Sequence, residues 1–170
     1  LLVMTDHSLI GSQGDEMPTI SVEQQVITQI LARHGIQHDI KKLENDLPLL
    51  GTDIDSCNEQ TLDIEIFPDR PDLLSGETLA HSMLPFLYDQ QPNPTIPSTE
   101  GDLKMVVHPE LSSIRPVIYA AVVRNVNLDD AAIKRLMDHQ EKLHFSIGRR
   151  RKKASVGVHD LAQIQAPIDV

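Results

Sequence analysis

With 170 residues and 40% hydrophobic content, the sequence has material for one ordinary core or two small ones. Aromatic residues make up only 3% and tryptophan is absent, so Leu, Ile, Val and Ala must build the core, and a stacking platform for unpaired bases would be thin. The net charge of -10 is uneven: residues 1–114 hold 5 Lys/Arg against 19 Asp/Glu, whereas residues 115–170 hold 10 against 6, so a polyanion would meet the second part.

Cys57 is the single cysteine, which excludes an internal disulfide and points to a reducing compartment. No apolar run approaches the roughly 20 residues that cross a bilayer. The opening "LLVMTDHSLIGSQGDE" lacks the charged leader and long apolar stretch of a signal peptide, and a cytoplasmic protein is expected.

Residues 1–16 show no sustained period and end in a Gly/Ser/Asp-rich patch, which reads as a flexible extension or an artificial addition. From Val22, the positions Val22, Val26, Ile27, Ile30 and Leu31 form a helical stripe that stops at Gly35. "DIKKLENDLPLLG" adds a short second helix before Pro48. "TLDIEIFP" alternates Leu62, Ile64 and Ile66 with Asp63 and Glu65, the mark of a strand with one wet face. "DRPDLLSGETLAHSMLPFLYDQ" offers Asp72 or Ser75 as a helix cap and places Leu79, Met83, Leu84 and Leu87 on one face, with Pro85 predicting a kink or an early end.

"QPNPTIPSTEGD", residues 91–102, is a Pro-rich linker that separates a module over 17–90 from one over 103–170. In the second module "LKMVVH" and "RPVIYAAVVRNV" read as strands, the latter apolar enough from Val117 to Val123 to be covered on both faces. Asp129 and Asp130 favour a helix start, the helix runs to about Gly148, "KASVGVHD" is a further strand, and "APIDV" begins another. The pattern as a whole is α+β.

At about 3.6 residues per turn, Ile133, Leu136, Met137, Leu143 and Ile147 share one sector of the helix, with Gln140 in its middle and His144 beside it. Two readings stand for this pair: a half-exposed amide with a core histidine satisfied by backbone carbonyls, or the lining of a pocket. The run Arg149, Arg150, Arg151, Lys152, Lys153 follows the helix end, where cations complement the helix dipole. Five of them exceed what one helix end requires, and guanidinium forks suit phosphates. The histidine spacings, His34 with His38 across Gly35 and His139 with His144 on different faces, do not form a metal set, and no metal is expected. "LSGET" lacks the frame of a hydrolase nucleophile, so Ser75 reads as a cap. His159 and Asp160 point to opposite faces of their strand, and Asp160 reads as the cap of the turn "DLAQ".

Several stretches in order, "MPTI", "LPLLGTDID", "DIEIFPDRPDLLSGETLA", "IRPVIYAAVVRNV", "QEKLHFSIGRRRKKASVGVHDL" and "APIDV", together resemble the amino-terminal part of the phenylalanyl-tRNA synthetase β subunit of archaeal and eukaryotic type. The resemblance covers Met17 to Val170 and rests most on "FPDRPDLLS" and the "QEKLH" to "GVHD" block. It implies a small amino-terminal α+β module followed by the opening strands and helix of an α/β-type tRNA-editing module. It implies a supporting subunit that pairs with a catalytic α subunit in a four-chain assembly acting on tRNA(Phe). In such an assembly α handles ATP and phenylalanine, later β modules bind Mg2+, and the editing module hydrolyses tRNA mischarged with tyrosine. By position, Gln140 and Arg151 match residues associated with that editing site, with Arg149, Arg150, Lys152 and Lys153 as neighbouring contacts for the tRNA acceptor end. Phe145 stands where Trp is common. Arg70 and Asp72 of "FPDRPD" read as structural, fixing a turn. The pocket's later strands are missing from these residues, so no hydrolysis is expected from this chain alone. The alternative is a stand-alone RNA-binding or interaction module without enzyme activity.

Overall fold

The computed structural model describes residues 2–7 (backbone), 19–91 and 96–170. Most of the proposed opening extension and residues 92–95 of the linker lie outside the described residues. The elements run β1 (Leu2–His7), β2 (Thr19–Glu23), α1 (Gln24–Arg33), α2 (Ile40–Asp46), β3 (Thr52–Cys57), β4 (Thr61–Ile66), α3 (Gly76–Leu87), β5 (Met105–Val106), β6 (Val117–Val122), α4 (Asp130–Phe145), β7 (Ala154–His159) and β8 (Ile168–Asp169), with short 3-10 turns between them. They fall into two compact units, residues 14–95 and residues 1–13 with 96–170.

In the first unit an antiparallel sheet has the order β2-β4-β3, with Ile20 opposite Ile64 and Val22 opposite Leu62. Residues 19–23 alternate, Ile20 and Val22 buried and Thr19, Ser21 and Glu23 exposed. Val22 therefore belongs to a strand, and the helix starts two residues later than its stripe suggested. The reason is that a five-residue period of two runs directly into a period of 3.6 and shares Val22 with it. On α1, Val26, Ile27, Ile30 and Leu31 are buried, and the chain leaves the helix through Gly35 at φ 72°. β3 has a single strong apolar residue, Ile54, and gives no strand signal of its own; its place comes from pairing with β4. Leu62, Ile64 and Ile66 of β4 are fully buried, each worth roughly 1.5–3 kcal/mol over leaving it in water.

Ser75 caps α3 with a reciprocal pair, its hydroxyl accepting from Thr78 N–H at 3.1 Å while Thr78 Oγ1 accepts from Ser75 N–H at 3.2 Å. A Cβ on Gly76 would stand 2.6 Å from Val22 Cγ1, so glycine lets the start of α3 close onto β2. Pro85 does not end the helix, which continues to Leu87. Ahead of it, Arg70 grips Asp72 with two bonds, Nε to Oδ1 at 2.9 Å and Nη2 to Oδ2 at 2.8 Å, and donates Nη1 to Leu50 O. That bonding holds the Asp72 carboxyl below the usual carboxylate range. The fork thus ties the loop before α3 to the turn before β3.

The second unit has the sheet order β6-β1-β7, all antiparallel, with Met4 opposite both Ala120 and Gly157. Leu2–His7 is therefore a central strand, which corrects the reading of those six residues as part of a flexible extension. The residues LVMTDH place their apolar members side by side and their polar ones after them, so no alternation marks a strand, and what recruits them is the backbone N–H and C=O groups on the facing edges of β6 and β7. β6 is less covered than expected: Tyr119 is 65% exposed, Ala120 and Ala121 are exposed, and Val117, Ile118 and Val122 are half-buried. The strand expected over "LKMVVH" shortens to Met105–Val106, pairing in parallel with Ile168–Asp169. α4 starts at an Asp129 cap that accepts from Ala132 N–H at 2.7 Å and stops at Phe145, short of Gly148. It packs against β7, and this covers only part of its stripe: Leu136, Met137 and Leu143 are half-buried while Ile133 and Ile147 are exposed. Among the described residues no helix is long and apolar enough to cross a membrane.

Candidate nucleic-acid interface

The basic run forms a tight left-handed turn between α4 and β7. Arg149, Arg150 and Arg151 have φ of 49°, 56° and 63°, three consecutive side-chain-bearing residues in a region each enters at a cost of about 1–2 kcal/mol. Backbone bonds hold the turn: Arg151 N–H to His144 O at 3.2 Å, Lys152 N–H to Arg149 O at 3.2 Å and Lys153 N–H to Gly148 O at 2.9 Å. Arg115 adds Nη2 to Arg151 O at 2.9 Å. Gly148 makes the fold-back possible, because a Cβ there would meet Ala154 O at 2.5 Å and His144 O at 2.7 Å. Five cations are thereby gathered on one short loop, where like charges repel and an anion would relieve them.

The side chains are not equivalent. Arg150 stacks over the Phe145 ring with its guanidinium carbon 5.0 Å from the centroid. Arg151 turns back onto α4, donating Nε–H to His144 Nδ1 at 3.0 Å and pairing through Nη2 with Glu141. Lys152 and Lys153 are exposed and Arg149 is half-buried. His144 is the one buried residue of α4, and its Nε2 lies 3.0 Å from Val156 O and 2.8 Å from Val156 N on β7.

Gln140 is half-buried, and its Oε1 has no hydrogen-bond partner among the described residues. An acceptor buried in that state costs about 1–3 kcal/mol. Arg151 reaches α4 through Glu141 and His144, with no hydrogen bond to Gln140 among the described residues. Sequence reasoning missed Glu141 and Arg115, whose roles depend on a turn that brings residues 10 and 36 apart in sequence together. At the far end of β7, Asp160 caps the following turn, accepting from Ala162 N–H at 3.0 Å. Among the described residues no cluster of three His, Cys, Asp or Glu could hold a metal ion.

No protein-family model matches the chain. It is 36% identical over 151 residues to the phenylalanine–tRNA ligase β subunit of Methanocorpusculum labreanum, covering 89% of this chain and 27% of that protein. It is 37% identical to the Methanosarcina acetivorans β subunit over the same shares, and 40% identical over 122 residues to that of Methanothrix thermoacetophila, 71% of this chain and 23% of the relative. The chain thus spans about a quarter of the length of these relatives. Its fold is similar to the crystal structure of an amino-terminal fragment of the Pyrococcus horikoshii phenylalanyl-tRNA synthetase β subunit, with a TM-score of 0.74 at 22% identity, covering 89% of this chain and 44% of that one. The chain is a homologue of part of the archaeal phenylalanine–tRNA ligase β subunit and has the mixed helix-and-strand fold of that subunit's amino-terminal fragment.

Proposed function

We propose that the chain serves the machinery that charges tRNA(Phe) with phenylalanine, as the β-subunit part that meets tRNA, and that its second unit contributes to hydrolytic editing of Tyr-tRNA(Phe). The observation that carries this reading is the sequence match to archaeal β subunits at 36% identity over 151 residues. The basic turn supplies a physical means: five clustered cations suit the phosphates near a tRNA end, and Gln140, whose buried Oε1 has no hydrogen-bond partner among the described residues, lies on the adjoining helix. The partners in this reading are a catalytic α subunit and tRNA(Phe), with ATP and Mg2+ used elsewhere in the assembly, in the cytoplasm. Tyr119, Val123, Ile133 and Ile147 lie open, as apolar residues do where a further part of a protein covers them.

In the assembled synthetase, Gln140→Ala and Arg151→Ala in the β subunit are expected to slow Tyr-tRNA(Phe) deacylation by one to two orders of magnitude, on the order of what removing a charged or polar group costs at a reacting centre. Charging with phenylalanine should be unchanged. The 170 residues alone should release no tyrosine. Turnover by the isolated chain that disappears with Gln140→Ala, or unaltered editing in both variants, would contradict the editing part of the proposal.

A further inference from the structure

The guanidinium of Arg151 never loses its proton, so the Nε–H that lies 3.0 Å from His144 Nδ1 requires a bare nitrogen to accept it. In that pairing the ring proton sits on Nε2, which faces Val156 O at 3.0 Å. Val156 N–H lies 2.8 Å from the same Nε2 and is an equally permanent donor that needs that nitrogen bare, so one neutral ring accepts from Arg151 or from Val156 and not from both, and serving Val156 is the opposite tautomer. There Nδ1–H would turn to Glu141 Oε1 at 3.3 Å and oppose the Nε–H of Arg151. His144 is only 4% exposed, so water cannot substitute for either partner. The same residue also takes the Arg151 backbone N–H on its carbonyl at 3.2 Å, so one helix position holds both the main chain and the side chain of Arg151.

We propose that His144, in its Nε2–H tautomer, is the positioning residue for Arg151: it fixes the guanidinium of the left-handed turn so that its open side is presented to a tRNA phosphate. Over half of the Arg151 side chain, 55%, stays open to solvent while Nε and Nη2 are committed to α4. An arginine so held loses little rotational freedom on binding a phosphate. The inference rests on the reading of this turn as a tRNA contact.

The test uses the full chain and an unmodified tRNA(Phe) transcript at low salt. His144→Asn places an amide oxygen near the Nδ1 position and keeps an acceptor for Arg151 while losing the reach to β7; His144→Gln does the reverse. Positioning through Nδ1 predicts that His144→Asn binds within about twofold of the parent, while His144→Gln weakens binding about five- to tenfold, as Arg151→Ala does. Adding Arg151→Ala to His144→Gln should cost nothing further. The 15N spectrum of the unsubstituted chain should show His144 Nδ1 as the unprotonated nitrogen. A purely structural anchor predicts the opposite order, with His144→Gln near the parent and His144→Asn impaired. That order, additive losses in the double variant, or a protonated Nδ1 would overturn the proposal. If the parent chain fails to bind tRNA, the tRNA reading falls, and the 15N tautomer alone decides the His144–Arg151 pairing.

Discussion

Residues 14–95 and the unit of residues 1–13 with 96–170 are built from similar parts, α-helix and a three-stranded antiparallel sheet, and they use them differently. The first unit fully buries Ile27, Leu31, Leu43, Leu47, Leu62 and Ile64, among others, and closes its loops with an Arg70–Asp72 fork and a Ser75–Thr78 capping box. In the second, Ala154 is the one buried apolar residue among the described side chains, His144 takes the buried place on the helix, and much of the apolar surface of β6 and α4 stays open. The first unit therefore draws its stability from apolar burial. The second relies more on backbone ladders and polar ties, and those same ties shape its basic turn.

Deleting residues 1–13 gives the largest expected break in that comparison. Among the described residues β6 and β7 ladder only to β1, so the deletion should abolish cooperative unfolding of the second unit while the first keeps its transition. Amide hydrogen exchange resolves the two; unchanged protection of Val117–Val122 and Ala154–His159 would contradict the central place of β1. Next in size, Ile64→Ala should cost the first unit about 2–5 kcal/mol in urea unfolding, whereas Tyr119→Ala should cost the second less than about 0.5 kcal/mol. Equal costs would mean that the two cores do not differ as described.

Smaller effects lie in the titratable groups of the first unit. Asp72→Asn should lose about 0.5–1 kcal/mol, a modest figure because the Asp72 side chain is 54% exposed. The folded Asp72 carboxyl titrates below its ordinary value because Arg70 bonds its charged form. Its contribution is therefore present above that ordinary value and disappears as pH falls through the folded one, so the variant's deficit should vanish in acid. His38 titrates below its ordinary value because burial disfavours the charged ring, with Asp39 opposing that effect. The neutral ring's contribution is thus present above about pH 6.5 and is lost as pH falls through the lower folded value. His38→Gln should flatten the urea midpoint between about pH 7.5 and pH 5. A slope equal to that of the parent would remove His38 from the account.

How much of this is legible in the sequence varies with how local its cause is. β4, α1 and α3 announce themselves through Leu62, Ile64 and Ile66 at a period of two, and through Val26, Ile30, Leu79 and Met83 at helical spacing. β3 does not, because "TDIDSC" carries one strong apolar residue and owes its conformation to the partner strand. β1 and β2 are obscured for different reasons, one because its apolar residues Leu2, Val3 and Met4 are consecutive and do not alternate, the other because it is fused to a helical stripe. At the basic turn, helical spacing singles out Gln140 and places His144 beside the stripe. The return of Arg151 to His144 is hidden by three consecutive left-handed residues, a path that local propensity disfavours and that Gly148 permits.

The measurement closest to the central claim is the salt dependence of tRNA(Phe) binding by the full chain and by a variant carrying Arg149→Ala, Arg151→Ala and Lys152→Ala. If these cations meet phosphates, binding is weak, and log Kd rises steeply with log salt. The triple variant should bind more weakly, with a slope shallower by roughly 0.7–0.9 for each phosphate that is no longer neutralised. No binding by the parent chain at low salt, or identical slopes for the two proteins, would contradict the assignment of the Arg149–Lys153 turn as the tRNA contact.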